Sequence, residues 1–188
     1  MKKGVARQSR LFTESEFQTP PAVADYMASL LPYQQRQLVL EPTPGEGNLV
    51  RALQKTGCAV TAENNFFDLL KIKYPIKMET PVFDAVVMNP PWSWELVQNV
   101  PDWLTTADKN LSCAQFFLQN CLDFAPVVIA LLPWNSLLDS PKSTKIIKHY
   151  GLVSVTGLGR NVFKRVPVRT GVYNLQRGYQ GKTELIIL

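Results

Sequence analysis

Asn89, Pro90, Pro91 and Trp92 place a carboxamide, two rigid rings and a large aromatic in four consecutive positions. The Asn side-chain oxygen can accept a hydrogen bond from an amine, and so can the carbonyl of Pro90, which carries no N–H of its own. Trp92 offers a flat face on which a planar base can stack. Two acceptors and a platform suit an exocyclic amino group on an aromatic ring. Residues 83–88, just before them, form a short apolar run that reads as a buried strand, and ligands of open α/β sheets bind beyond strand ends. The same four residues also describe an ordinary proline-bearing loop after a core strand, so the motif needs support from elsewhere in the chain.

That support lies upstream. Residues 37–41 are a second short apolar run, ending in Glu41, and they lead through Pro42-Thr43-Pro44-Gly45-Glu46-Gly47-Asn48 into residues 49–53, which have helical spacing. Glycines at 45 and 47 let the backbone turn tightly and approach a ligand, and the helix start presents free N–H groups. Val50 stands where a dinucleotide site would have its third glycine, and the turn lacks the Gly-Lys-Ser/Thr of a phosphate loop. The turn therefore suits something other than a pyrophosphate, with a purely structural strand-to-helix turn as the competing reading.

Taken together, the two motifs resemble those of S-adenosylmethionine-dependent methyltransferases, in particular the amino-methylating group with an Asn-Pro-Pro-aromatic motif. Phe17-Gln18-Thr19-Pro20 resembles the Phe-x-Thr-Pro element that precedes the glycine motif in one circular order of that family. Residues 59–63 resemble its second strand, ending in an acid that binds the cofactor ribose, and Phe67-Asp68-Leu69 resembles the segment that contacts the cofactor adenine. Residues 127–133 resemble the strand after the catalytic motif, and Arg160-Asn161-Val162-Phe163 a loop near the target base. The resemblance implies S-adenosyl-L-methionine as cofactor and catalytic roles for Asn89, Pro90, Pro91 and Trp92. It implies cofactor contacts from Phe17, Thr19, Pro20, Glu41, Pro42, Gly45, Gly47, Glu63, Asp68 and Asn89. Substrate contacts would come from Trp92, Phe163, Lys164, Arg165 and Arg169.

One departure from the family pattern stands out. Glu63 and Asp68 are too close for the helix and third strand that most relatives insert between them. Either this edge of the sheet is pruned, or one of the two acids has another role. Asp68 fits an N-cap or a solvated turn equally well.

Composition narrows the alternatives. The 188 residues suffice for one domain with a full core, and no apolar run approaches the roughly 20 residues of a membrane span. The start, Met1-Lys2-Lys3-Gly4-Val5, lacks the apolar stretch of a secretory signal, so a cytoplasmic location is expected. Cys58, Cys113 and Cys121 have no Cys-x-x-Cys spacing and read as reduced thiols, and the only histidine, His149, reads as a surface residue near a helix end, which gives little support to a metal cluster or a serine–histidine machine. Net charge is +5, from 20 Lys and Arg against 15 Asp and Glu. Basic residues crowd the start (Lys2, Lys3, Arg7, Arg10) and the later part (Arg160, Lys164, Arg165, Arg169, Arg177). Such a stripe suits a phosphate backbone, and DNA is the expected partner, although the first group alone also reads as a basic tail.

Along the chain, residues 1–15 read as mobile and residues 20–31 as a helix opened and stopped by prolines. Residues 91–110 read as an irregular lid or substrate loop, residues 114–124 and 140–150 as helices. Residues 153–158, 171–175 and 183–188 read as closing strands, the last two suited to pairing in opposite directions. The expected architecture is a single Rossmann-like α/β domain over 1–188: a doubly wound, mostly parallel sheet with a late antiparallel strand, pruned after Glu63. With no separate target-recognition domain expected, target choice falls to short loops or to a partner subunit, or is relaxed. Three functions follow: methylation of adenine N6 in DNA, methylation of a ribosomal RNA base or a protein glutamine, or a non-catalytic nucleic-acid-binding subunit.

Overall fold

The computed structural model describes residues 17–32, 37–73, 81–97, 99–104, 111–137, 141–163 and 168–188. The stretch read as a mobile start, residues 1–15, and the basic residues Lys164 and Arg165 lie outside these.

Four short apolar strands, β1 (Leu38–Glu41), β2 (Ala59–Ala62), β3 (Ala85–Met88) and β4 (Val127–Pro133), pair in parallel. Three further strands complete the sheet: β5 (Leu152–Gly157), β6 (Thr170–Gln176) and β7 (Glu184–Ile187), giving the order β2-β1-β3-β4-β6-β5-β7. The helices are α1 (Pro21–Ser29), α2 (Asn48–Lys55), α3 (Phe66–Lys73), α4 (Cys113–Cys121) and α5 (Pro141–Tyr150). Strand β3 starts two residues later than the apolar run suggests. Asp84 is diverted to edge duty there, its Oδ2 accepting from the Leu38 N–H at 2.7 Å while its own N–H donates to the Leu38 carbonyl.

The central strands are buried on both faces of the sheet, which is why they read as continuous apolar runs. Successive residues alternate between two cores. Leu40, Val86, Met88, Ala130 and Leu132 face α3 and α4, with Phe66, Phe117 and Leu118 packed over them. Val39, Ala85, Val87, Ile129 and Leu131 face α1 and α2, against Met27, Leu49 and Leu53. The result is the expected doubly wound α/β sandwich.

Pruning is visible at the β2 edge. After Glu63 the chain passes directly into α3, and β2 is the outermost strand on this side among the described residues. At the other edge the expected opposite-direction pairing is corrected: β6 runs antiparallel, but between β4 and β5, and β7 joins β5 in parallel. Both sides of β6 are already hydrogen-bonded, so the free side of β5 is where a last strand can complete its ladder.

Candidate active site

The chain leaves β1 outward to β2 and returns through α3 to β3 on the other side of β1, so the sheet order reverses between β1 and β3. Ligands of doubly wound sheets bind beyond the strand C-termini at such a point. A cavity of about 510 Å³ lies there. Its walls come from residues 17–19, from 42–45 with Asn48 and Leu49, from 64–67, and from 89–91, with Leu96, Val97, Asn99 and Phe117 completing them. The volume falls within the usual range for small-molecule and cofactor sites, roughly 300–1,000 Å³.

Asn89 follows β3 directly. Its Nδ2 donates to the carbonyl oxygen of Phe17 at 2.7 Å. A carbonyl only accepts, so this contact fixes which way the amide points. The other amide atom, Oδ1, is buried without a partner. Among the described residues, the buried unpartnered side-chain atoms are Asn89 Oδ1, Glu41 Oε2 and Trp92 Nε1. Native interiors pair nearly all such atoms. All three belong to the two motifs, and of the three residues Asn89 lines the cavity.

Trp92 is wedged edge-on between two rings, Phe17 at 5.2 Å and Phe163 at 5.3 Å between centroids. Phe163 is buried, 5% exposed, and packs into the core beside α1 and α2. Trp92 and Phe163, expected from the sequence to flank a target base, are therefore in contact with each other, and neither forms part of the cavity wall. Arg169 and Arg160 are exposed, and Arg169 sits at the start of β6 with its carbonyl accepting from the Trp134 N–H.

The glycine turn is shaped by what lies against it. Gly45 has φ +48°, and a Cβ there would stand 2.4 Å from Gln18 Oε1. That same Gln18 oxygen accepts from the Glu46 N–H at 2.9 Å. Gly47, at φ +78°, caps the start of α2 in a left-handed conformation that favours glycine. Asn48 Nδ2 then donates to the Thr19 carbonyl at 2.9 Å. Three successive residues, Phe17, Gln18 and Thr19, are thus each bonded to one of the two motifs. Pro20 starts α1 with its carbonyl accepting from Ala24 N.

Glu41 ends β1 fully buried. Its Oε1 accepts from Thr43 N at 2.9 Å and Thr43 Oγ1 at 3.2 Å. Burial outweighs both bonds and raises its pKa from 4.5 to about 8. Thr43 Oγ1 also lies 3.2 Å from the Asn89 carbonyl oxygen, which joins the two motifs by a second route. Pro42 and Thr43 line the cavity, whereas Glu41 lies outside its walls.

Glu63 and Asp68 likewise lie outside the walls, while the residues between them line it. Glu63 Oε1 accepts from Asn65 N, and its own N–H donates to the Glu41 carbonyl. Asp68 sits in the first turn of α3, accepting from Asn65 Nδ2 at 2.5 Å and pairing with Lys71 at 2.8 Å. Both acids hold Asn65, and the cavity meets Asn64, Asn65, Phe66 and Phe67 instead. Gln18, Thr43, Asn48 and Asn65 were not singled out by the sequence. Only their position inside or next to the motifs could have pointed to them.

No family model matches the chain, and no curated protein sequence matches it. Solved structures do share its architecture. The methyltransferase subunit of a type I restriction-modification system from Streptococcus thermophilus superposes with TM-score 0.66 at 18% identity, over 90% of this chain and 46% of that one. A Listeria monocytogenes protein assigned to the class I S-adenosylmethionine-dependent methyltransferases gives TM-score 0.66 at 16% identity, over 95% and 68%. A Pyrococcus horikoshii protein described as an RNA methyltransferase gives 0.51 at 15%, over 86% and 87%. The chain has the Rossmann-like fold of these methyltransferases. It spans less than half the length of the type I subunits it matches.

Proposed function

We propose that this chain transfers a methyl group from S-adenosyl-L-methionine to the exocyclic N6 amine of adenine in DNA. The observation that carries the reading is Asn89 Oδ1: a buried acceptor without a partner, in an amide whose donor end is already tied to Phe17. An incoming amine hydrogen can satisfy it.

The cavity fits the cofactor. It is of suitable size, Gly45 leaves no Cβ in it, and Asn64, Asn65, Phe66 and Phe67 present amides and aromatic rings where a purine and ribose would lie. Residues 17–19, Pro42, Thr43 and Gly45 would hold the remainder. When bound, S-adenosylmethionine supplies an activated methyl group that needs neither a metal nor a covalent nucleophile. What remains for the protein is positioning and electrostatics.

Asn89 Oδ1 and the Pro90 carbonyl would each accept one hydrogen of the target amine. Held this way, the nitrogen becomes pyramidal and its lone pair leaves the ring, turning a poor nucleophile into a directed one. The two prolines restrain the backbone that carries the Pro90 carbonyl, and the bond to Phe17 holds the Asn89 amide. Trp92, next to the two acceptors and backed by Phe163, would meet the ring once it enters. In duplex DNA the base must first leave the stack, at roughly a few kcal/mol. Exposed Arg160 and Arg169 suit a phosphate backbone. A partner subunit for target recognition is suggested by the likeness to modification subunits of type I systems, which assemble into complexes.

RNA is the second reading, supported by the likeness to the Pyrococcus protein. The test is transfer of labelled methyl groups to unmethylated DNA, with total RNA and cell extract as parallel acceptors, and the modified nucleosides resolved by mass. N6-methyladenine in DNA is the expected product. Label in RNA or protein alone would overturn the substrate, and no transfer to any acceptor would overturn the activity.

A further inference from the structure

One hydroxyl in this site has two acceptors and a single hydrogen. Thr43 Oγ1 lies 3.2 Å from Glu41 Oε1 and 3.2 Å from the carbonyl oxygen of Asn89. A threonine hydroxyl donates once and accepts up to twice. An ionised Glu41 has no hydrogen to give, so it competes with the Asn89 carbonyl for the hydrogen of Thr43, and charge assistance favours the carboxylate. A neutral Glu41 can donate to Thr43 Oγ1. The Thr43 hydrogen is then free for Asn89, and the three groups form one directional chain, Glu41 to Thr43 to Asn89.

We propose that Thr43 is a positioning residue that passes the protonation state of Glu41 to the backbone of Asn89. Neutral Glu41 pins the Asn89–Pro90 peptide through Thr43; ionised Glu41 releases it. The peptide in question carries the Asn89 side chain at one end and the Pro90 carbonyl at the other, which are the two acceptors of the proposed reaction.

The surroundings leave Glu41 to titrate through Thr43 and little else. Its Oε1 accepts from the N–H and the hydroxyl of Thr43, and its Oε2 is buried and unpartnered, so Thr43 supplies both of its donors among the described residues. Ionisable groups on the flanking elements are occupied elsewhere or exposed. Glu63, after β2, accepts from Asn65 N. Asp84, before β3, accepts from Leu38 N. On α2, Arg51 bonds Asn48 Oδ1 and Lys55 pairs with Asp25. Asp68 and Lys71 of α3 pair with each other, and Glu46 of the glycine turn is exposed. Residues 17–20 carry no charge. The raised pKa of Glu41, about 8, puts the changeover near physiological pH.

The consequence for turnover rests on the methyltransferase reading, but the hydrogen-bond exchange does not, and the experiment separates them. Asn89-Pro90 is the only Asn-Pro pair in the sequence. Labelling Asn with carbonyl ¹³C and Pro with ¹⁵N therefore selects this single peptide in the full chain. Its carbonyl shift is followed from pH 6 to 10 in the wild type, Thr43→Ser, Thr43→Val and Glu41→Gln, each checked for cooperative unfolding. The expected result is one transition near pH 8 in the wild type and Thr43→Ser, and a flat profile in Thr43→Val and Glu41→Gln. A flat wild-type profile, or an unchanged transition in Thr43→Val, would overturn the proposal. Cofactor affinity by calorimetry and kcat against pH accompany each variant. On productive acceptors kcat should fall through pH 8 in the wild type and Thr43→Ser but not in Glu41→Gln. Thr43→Val should lose about fivefold in kcat, one ordinary hydrogen bond. Transfer to no acceptor, with the carbonyl transition present, would remove the methyltransferase reading and leave the switch standing.

Discussion

Asn89 Nδ2 donates to the carbonyl of Phe17 across 72 residues of sequence, at 2.7 Å. The bond does two things at once. It orients the amide so that Oδ1 is the free end, and it holds residues 17–19 against the cavity they help to wall. Asn89→Ala removes both the acceptor and the tether. Turnover should fall by roughly 10²–10³-fold, the range seen when one preorganised polar group is deleted from a reacting centre. Cofactor affinity should weaken only a few-fold, since Gln18 and Thr19 keep their own bonds to the glycine turn. Calorimetric titration beside a kinetic assay checks the split; equal losses in both would mean that Asn89 acts mainly as a tether.

Gly45→Ala meets two obstacles of different kinds. The Cβ collides with the Gln18 amide, and the backbone at φ +48° is strained for any residue with a side chain, at about 1–3 kcal/mol. Lower thermal stability and weaker cofactor binding are expected. Adding Gln18→Ala should relieve the collision without relieving the strain, so the double variant recovers part of the loss. Complete recovery in a thermal melt would show that the backbone conformation costs nothing.

Glu41 makes stability depend on pH in an unusual direction for a carboxyl group. Its folded pKa of about 8 lies above the ordinary 4.5, so between these values the native chain holds a proton that the unfolded chain has lost. Stability from this group is full below about 4.5 and is lost as pH rises through about 8, by ~1.4 kcal/mol for each pH step of one between the two values. The wild type should therefore lose more Tm between pH 6 and 9 than Glu41→Gln. Parallel profiles would show that Glu41 is ionised in the fold.

The three thiols should divide by burial. Cys113 and Cys121 are buried in α4, out of reach of a reagent, and burial pushes the Cys113 thiol up to about 12. Cys58 is partly exposed and near the Thr56 hydroxyl at 3.2 Å. A chromogenic disulfide reagent at neutral pH should titrate one thiol in the native protein and three after denaturation.

Much of the fold was legible from local pattern. The apolar runs ending at Glu41 and Met88 became β1 and β3, and Gly45 and Gly47 became the turn between strand and helix, because each depends mainly on its near neighbours in the chain. Other features were hidden in the same residues. Asp68, from its type and spacing, could as well have met a cofactor as an N-cap or a solvated turn; it lies in the first turn of α3, paired with Lys71, because the pruned edge leaves room for a helix directly after Glu63. The place of β7 was equally hidden, since a strand's partner depends on which sheet edge is still open, not on its own composition.

By its sequence alone the chain determined a doubly wound sheet and an acceptor-bearing motif at the end of one of its strands. Periodicity and turn chemistry act over a few residues and survive in the linear text. Tertiary structure decided how the two motifs communicate: Gln18 against Gly45, Phe17 on Asn89, and Thr43 between Glu41 and the Asn89 carbonyl. It also decided that Glu41 is deep enough to keep its proton. Hydrogen-bond partners and desolvation are properties of a position in space, fixed only when segments far apart in the chain pack against one another.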